Sequence, residues 1–330
     1  MKKKSIVAAI SALSLIVSMN IGIGSVFAGE QNTVPGTAEQ PFVVTDGLFD
    51  QTKTESDLGL SKIEGAETVT VFTATDDTDH YCNGVVMTEF KGKLYTQWQS
   101  SAKDEDAEDT WVAYSVSDDN GATWSEPKVL VPTIDNGYCS SGGWFVSGDT
   151  LVSYINVWYS DTTPRGGFAY YVESTDGEHW SEMKPVLMKD GTPMEGIIEQ
   201  DPHVLASGRI VNAAHFQPGL FAYPIYTDDP SGTKGWVKAQ YTCMEQGEGA
   251  TTSREMEPSL FVNEDGTIVM TFRDQKSSFV RLAAISTDQG ETWSETVSTN
   301  MPDCRAKQSA GNLPDGTAYL VGCSVNNKGR

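Results

Sequence analysis

Three short segments of this chain repeat one order of residue types at nearly one spacing, and that repetition limits the folds open to it. Ser117, Asp119, Gly121 and Trp124 recur as Ser174, Asp176, Gly177 and Trp180, one residue shorter, and again as Ser286, Asp288, Gly290 and Trp293. Asp119 to Asp176 is 57 residues and Asp176 to Asp288 is 112, twice 56, so a further copy is due near residue 232. Thr227, Asp229, Gly232 and Trp236 supply it with looser spacing. Four copies at this period imply blades or solenoid units, each burying its apolar face against the next. The residue types describe a turn. A short carboxylate accepts backbone N–H groups, glycine supplies a positive φ, serine adds a hydroxyl, and tryptophan covers the turn against a neighbouring unit. The aspartates are read as structural, and all four tryptophans are expected to be buried between strands.

Between the turns, apolar residues alternate with polar ones over Lys93 to Gln97, Trp111 to Val116, Thr150 to Ile155 and Thr267 to Phe272, with Gly, Asp, Asn and Pro between the runs. Period two is the signature of half-buried strands. No window holds a helical period for three turns, so an all-β chain with few helices is expected. Blades are read at 80–132, 139–189, 200–245 and 255–298, with the start of a fifth at 305–330.

The N-terminus obeys a different rule. Lys2, Lys3 and Lys4 precede an apolar run from Ile6 to about Ile23, and Val26 and Ala28 are small residues before Gly29, as in a secretory signal cleaved after Ala28. Residues 1–28 are thus expected to be removed, 29–40 to be a polar leader, and 41–330 to be the folded domain of a secreted, monomeric protein. The full chain has 45 acidic and 23 basic residues, a net charge of −22, which argues against a nucleic-acid partner. No later stretch is long and apolar enough to span a membrane. Five cysteines are too few for a disulfide framework at this length, and odd in number. No histidine or cysteine spacing fits a metal site, and no cofactor is expected.

The Ser-x-Asp-x-Gly-x-x-Trp turns at this period resemble the Asp-box (BNR) repeats of the sialidase, or neuraminidase, superfamily. The resemblance implies a six-bladed β-propeller, incomplete at its C-terminal end, and a glycoside hydrolase that releases a terminal anionic sugar such as sialic acid from glycans. It also proposes residues. Met256-Glu257-Pro258-Ser259 followed by Asp265-Gly266 and by Ile268 to Arg273 is similar to the sialidase segment in which a Glu-Pro pair opens an inner strand and an arginine ends its partner. Glu257 would then activate the nucleophile and Arg273 would grip the substrate carboxylate. The hairpin around Leu313-Pro314-Asp315-Gly316 is followed by Arg330, where the family has another carboxylate-binding arginine. The family's general acid maps to Asp106, within the acidic run Asp104 to Asp109.

Two departures separate this chain from the family pattern. No arginine precedes Arg165, whereas sialidases carry one on their first inner strand, and a guanidinium fork is what holds a carboxylate in two places. No tyrosine follows Tyr319, whereas the family's nucleophile is a tyrosine of the last blade. Two other readings therefore stay open. His203 and His215 could serve a propeller polysaccharide lyase acting on uronic-acid glycans, imidazole being the side chain that trades protons near neutral pH, and His203 is also a candidate for substrate binding. A non-catalytic glycan-binding propeller would instead present Trp98, Trp144 or Trp158 as stacking platforms.

Overall fold

The computed structural model describes residues 8–9, 36–50, 52–53, 59–61, 63–244 and 246–324. These residues contain strands and turns and no helix. They divide into two compact units, one built on Ile63–Lys238 and one on the residues from Ala239 onward together with the described part of 36–61. The signal peptide lies outside the described residues apart from positions 8–9.

The first unit carries three antiparallel sheets of the blade type, each a meander. The first sheet runs Tyr81–Phe90, Lys93–Ser101, Trp111–Ser117 and Lys128–Val131, and the second runs Gly137–Ser147, Thr150–Tyr159, Phe168–Ser174 and Lys184–Pro185. In the third, the innermost strand is split into Gly196–Ile197 and His203–Val204, both paired to Ile210–Phe216, followed by Phe221–Thr227 and Val237–Lys238. The second unit holds a fourth sheet, Glu255–Val262, Ile268–Asp274, Val280–Ser286 and Val297–Pro302, and the hairpin Ser309–Asn312 with Ala318–Val321.

Period-two alternation explains how the first unit packs. Along Thr150–Tyr159, Leu151, Ile155 and Val157 join Tyr95, Val112 and Tyr114 in a core shared with the first sheet. Val152 and Tyr154 point the other way, into a core with Ile198, Ile210, Ile225 and Trp236 of the third sheet. The strand is buried on both faces, so its sequence is a nearly unbroken apolar run. Polar side chains inside this core carry the register from sheet to sheet. Gln97 donates to the Gly143 carbonyl at 2.8 Å, while Asn156 donates to the Ile198 carbonyl at 2.7 Å and accepts from the Ile198 N–H at 2.9 Å. In the second unit Phe42 and Val44 pack with Phe261, Val269 and Met301, and the Asn300 amide closes both main-chain groups of Val44.

All four repeat turns join the third strand of a sheet to the fourth. Gly121 and Gly290 donate to the Ser117 and Ser286 hydroxyls, and the Asp119 and Asp288 carboxylates accept from the main chain of Thr123 and Thr292 at 2.9 Å. The looser copy closes in the same manner, Asp229 accepting from Ser231 and Trp236 donating to the Gly232 carbonyl. Glycine is required twice over at Gly177. Its φ is +74°, and a Cβ there would lie 2.1 Å from the Tyr95 hydroxyl of the preceding sheet. One expectation is corrected: only Trp236 is fully buried, whereas Trp124, Trp180 and Trp293 are half-buried. The indole covers its own turn at the rim of the sheet, so one edge stays wet even where, as at Trp180, the ring meets Tyr114 and Trp144 at 5.6 and 5.9 Å.

Asn156→Ala should strand two buried main-chain groups of Ile198. A destabilisation of about 2–4 kcal/mol is expected in urea unfolding, against less than ~0.5 kcal/mol for an exposed control such as Glu264→Ala.

Candidate functional site

Each unit brings one group of candidate side chains together. In the second unit the first strand of the fourth sheet bulges between Met256 and Ser259, and Glu257 sits in the bulge with φ +51°. A bulge of this kind re-aims a side chain that a regular pleat would bury in the sheet face. Here it brings Glu257 Oε2 to 2.5 Å from Nε of Arg273, which ends the neighbouring strand. Glu257 and Arg273 thus form a direct ion pair, both side chains largely buried.

Arg273 continues from Glu257 to a second partner, donating through Nη1 to Gln275 Oε1 at 2.7 Å. Beside it lies a fully buried pair, Arg281 with Asp303, Nη2 to Oδ1 2.8 Å. Burial works against both charges, raising the Asp303 carboxyl and lowering the Arg281 guanidinium. Below the bulge, Glu255 is held by the Tyr241 hydroxyl and the Met244 N–H, and Arg254 grips Asp274 through two nitrogens.

In the first unit Asp106 Oδ1 accepts from the Tyr138 hydroxyl at 2.7 Å and from Arg165 Nη2 at 2.5 Å, and Arg165 also donates to the Tyr138 oxygen. Tyr138 stacks on Trp158 with ring centres 6.0 Å apart and planes 11° apart, and the Arg165 guanidinium lies over Trp158 at 4.7 Å. Burial and the adjacent Asp106 push the Tyr138 phenol well above its usual range, so it serves as a neutral donor. Asp106 and Arg165 remain about half exposed.

The histidines are separate from this group. His215 is fully buried, its Nε2 2.9 Å from Glu199 Oε2, which makes it a pairing residue inside the third sheet. His203 lies on the short strand that follows the interruption, and burial pushes its imidazole down to about 4. The interruption itself is built: Asn156 pins Ile198, the Asn212 amide donates to the Gln200 carbonyl, and Asp201 accepts from the Trp144 N–H. Trp98, Trp144 and Trp158, read as exposed stacking platforms, are buried: Trp144 packs in the core between the first two sheets, Trp158 packs with Tyr138 and Ile197, and Trp98 is covered by the segment before the first strand. Trp98 lies against Phe72 on the wall of a cavity of about 260 Å³ that Val71, Cys82 and Val85 also line.

Glu257 and Arg273 are therefore brought together, Asp106 is placed with residues of its own unit, and Arg330 lies outside the described residues. Tyr138 and Arg165 escaped the sequence reading because they meet Asp106 across 32 and 59 residues of chain, with no local spacing to mark them. The scarcity of arginine, seven in 330 residues, was the signal that could have drawn attention to Arg165. Among the described residues no group of three His, Cys, Asp or Glu side chains is placed to hold a metal ion, and all five cysteines are free thiols.

Strand meanders closed by Asp-box turns define a class of repeat protein, and comparison places the chain within it. The BNR repeat-like domain matches residues 92–330, so the chain belongs to that family. No curated protein matches the chain. Among solved structures it is similar to a protein of unknown function from Dyadobacter fermentans, with TM-score 0.61, 14% identity, and 76% of each chain covered. It is also similar to an intramolecular trans-sialidase from Ruminococcus gnavus, with TM-score 0.56 and 16% identity over 76% of this chain and 79% of that one. A third is a sialidase from Streptococcus pneumoniae, with TM-score 0.55 and 15% identity over 76% of this chain and 58% of that one. The chain thus spans under two thirds of the pneumococcal chain, and at these identities the likeness establishes the fold.

The His203 shift makes a pH prediction. Above pH 6.5 the imidazole is neutral folded and unfolded. Below it the unfolded chain takes up a proton that the folded chain refuses until about pH 4, so stability falls through that window. Relative to His203→Gln, the wild-type chain should lose about 2 kcal/mol between pH 7 and pH 4 in chemical denaturation; parallel profiles would refute the assignment.

Proposed function

We propose that the protein is a secreted glycoside hydrolase of the sialidase type, a six-bladed propeller that acts from the end of a glycan and releases a terminal anionic sugar. The observation that carries this reading is the Glu257–Arg273 pair at 2.5 Å, held in a bulge and a strand end by Gln275 and the rest of the fourth sheet. A buried guanidinium with one nitrogen free for a ligand is a carboxylate receptor, and a carboxylate paired to it can accept the proton of an attacking hydroxyl. In this mechanism Arg273 orients the acidic sugar and Glu257 supports the nucleophile.

Asp106 would protonate the leaving glycosidic oxygen, oriented by the Tyr138 hydroxyl. Its contact with Arg165 would have to open first. Arg165 is half exposed, and a bound acidic glycan offers it a competing carboxylate. Solved relatives support an anionic ligand: the Ruminococcus gnavus enzyme was solved with oseltamivir carboxylate and the pneumococcal one with a substituted ethanesulfonate. Export rests on the N-terminal sequence alone, and mature protein beginning at Gly29 would support it.

Hydrolysis of a sialoside, followed beside the ultraviolet absorbance of unsaturated uronic products, separates the alternatives. The expected result is sialoside cleavage without ultraviolet-absorbing product, with kcat/KM reduced about 10²–10⁴-fold in Glu257→Gln and in Asp106→Asn. Unsaturated product would identify a lyase. Glycan binding without turnover, unchanged by either substitution, would identify a binding module.

A further inference from the structure

Cys304 and Cys323 stand at the two feet of the hairpin Ser309–Asn312 with Ala318–Val321, and they are neighbours in space. The Cys304 N–H donates to the Cys323 carbonyl at 3.2 Å. A residue bonded in this way to another main chain has its Cα about 5–6 Å from that of its partner, inside the span of roughly 4.4–6.8 Å that a disulfide bridges. The side chains meet as well. The two thiols share a hydrogen bond, and both pack with Phe49 and Ala306 in one apolar cluster. Burial pushes the Cys304 thiol up to about 12, the hydrogen bond with Cys323 acting in the same direction, so Cys304 stays protonated at neutral pH. One side chain fixes the main chain beside both cysteines. Asp303, before Cys304, takes Arg281 Nη2 at 2.8 Å, and a Cβ on Gly322, before Cys323, would lie 2.8 Å from the same nitrogen. Closing a bond between the sulfurs thus asks for side-chain rotation, with the backbone already in place.

We propose that Cys304 and Cys323 form a disulfide in the exported protein, a covalent strap across the feet of the hairpin. The inference rests on the export reading above, since such bonds persist where the surroundings are oxidising. The oxidant is an external disulfide, of a small molecule or of an exchange protein. The half-buried Cys323, as thiolate, attacks one of its sulfurs and expels the other as a thiolate. Cys304 then gives up its proton and attacks the Cys323 sulfur of the mixed disulfide, forming the new S–S bond and expelling the second external sulfur. The two protein thiols lose two electrons and two protons, and the external disulfide leaves as two thiols. A two-stranded hairpin is marginal by itself. This one meets the fourth sheet through Gln308, Ala310 and Asn312, and a bond at its feet opposes the opening that those contacts resist alone.

Full chain purified under reductant, equilibrated with oxidised glutathione, alkylated and digested reads the pair directly by mass. The five alkylated cysteines of the reduced chain should fall to three, with one pair of peptides linked through Cys304 and Cys323. Oxidation should raise Tm by about 5–10 °C and dithiothreitol should remove the gain. Cys323→Ala should show no gain, and Cys82→Ala should keep it. Five alkylated cysteines after equilibration, or a link between other cysteines, would overturn the assignment whatever the fate of the chain in the cell. A linked pair without a gain in Tm would overturn the strap. The same mapping on chain expressed with residues 1–28 tests the export reading separately. Protein recovered from the medium should carry the link, and exported protein with both thiols reduced would overturn the proposal. Chain kept inside the cell with residues 1–28 attached would overturn export, while a link formed in glutathione would still support the pair.

Discussion

What the first unit depends on most is the buried amide that leaves the second strand of one sheet for the main chain of the next. Blade-like sheets pack through apolar faces, and apolar contact alone would let them slide by a residue pair at modest cost. Gln97 and Asn156 remove that freedom. Asn156 meets both the N–H and the carbonyl of Ile198, so any slip leaves three buried polar groups unmatched. The same contact holds the interruption between Ile197 and His203, turning what would be one long inner strand into two short ones.

The second unit uses hydroxyls where the first uses amides. Ser259 accepts from the Ala310 N–H at 2.7 Å, and Gln308 donates to Thr271, so the hairpin is joined to the fourth sheet through polar atoms at the sheet interior. Glu257 and Arg273 sit two residues beyond these joints. A site carried by strand ends next to such joints is positioned by the core and not by a loop, which is the condition an ion pair must meet to present a fixed charge pattern to a ligand.

Much of the architecture could be read from the residues alone. The turns are local, seven to ten residues long, and their chemistry is contained in Ser or Thr, Asp, Gly and Trp, so spacing sufficed to place all four. The strand Ile268–Asp274 was visible through its alternation, and the likeness of Met256–Val262 to a family segment marked Glu257 together with Arg273. What stayed hidden was set by packing over long distances in sequence. The exposure of three box tryptophans depends on where each rim falls against its neighbour.

The Asp-box turns have a consequence for how such a chain can arise. Each satisfies most of its main-chain donors with its own serine or threonine and its own aspartate, and only the indole-bearing end reaches out, the Trp236 and Trp293 N–H groups donating to Leu187 and Gln240. A segment closed in this way can be duplicated by the gene without its surroundings being redesigned, provided one glycine and one indole still fit the previous copy. The Thr227 to Trp236 turn, which tolerates an altered hydroxyl and longer spacing yet still seats Gly232 against Phe145 and Tyr154, marks how far a copy can drift. The ion pair of Glu257 with Arg273, by contrast, lies outside the turns, so a duplicated blade carries the turn without carrying that pair.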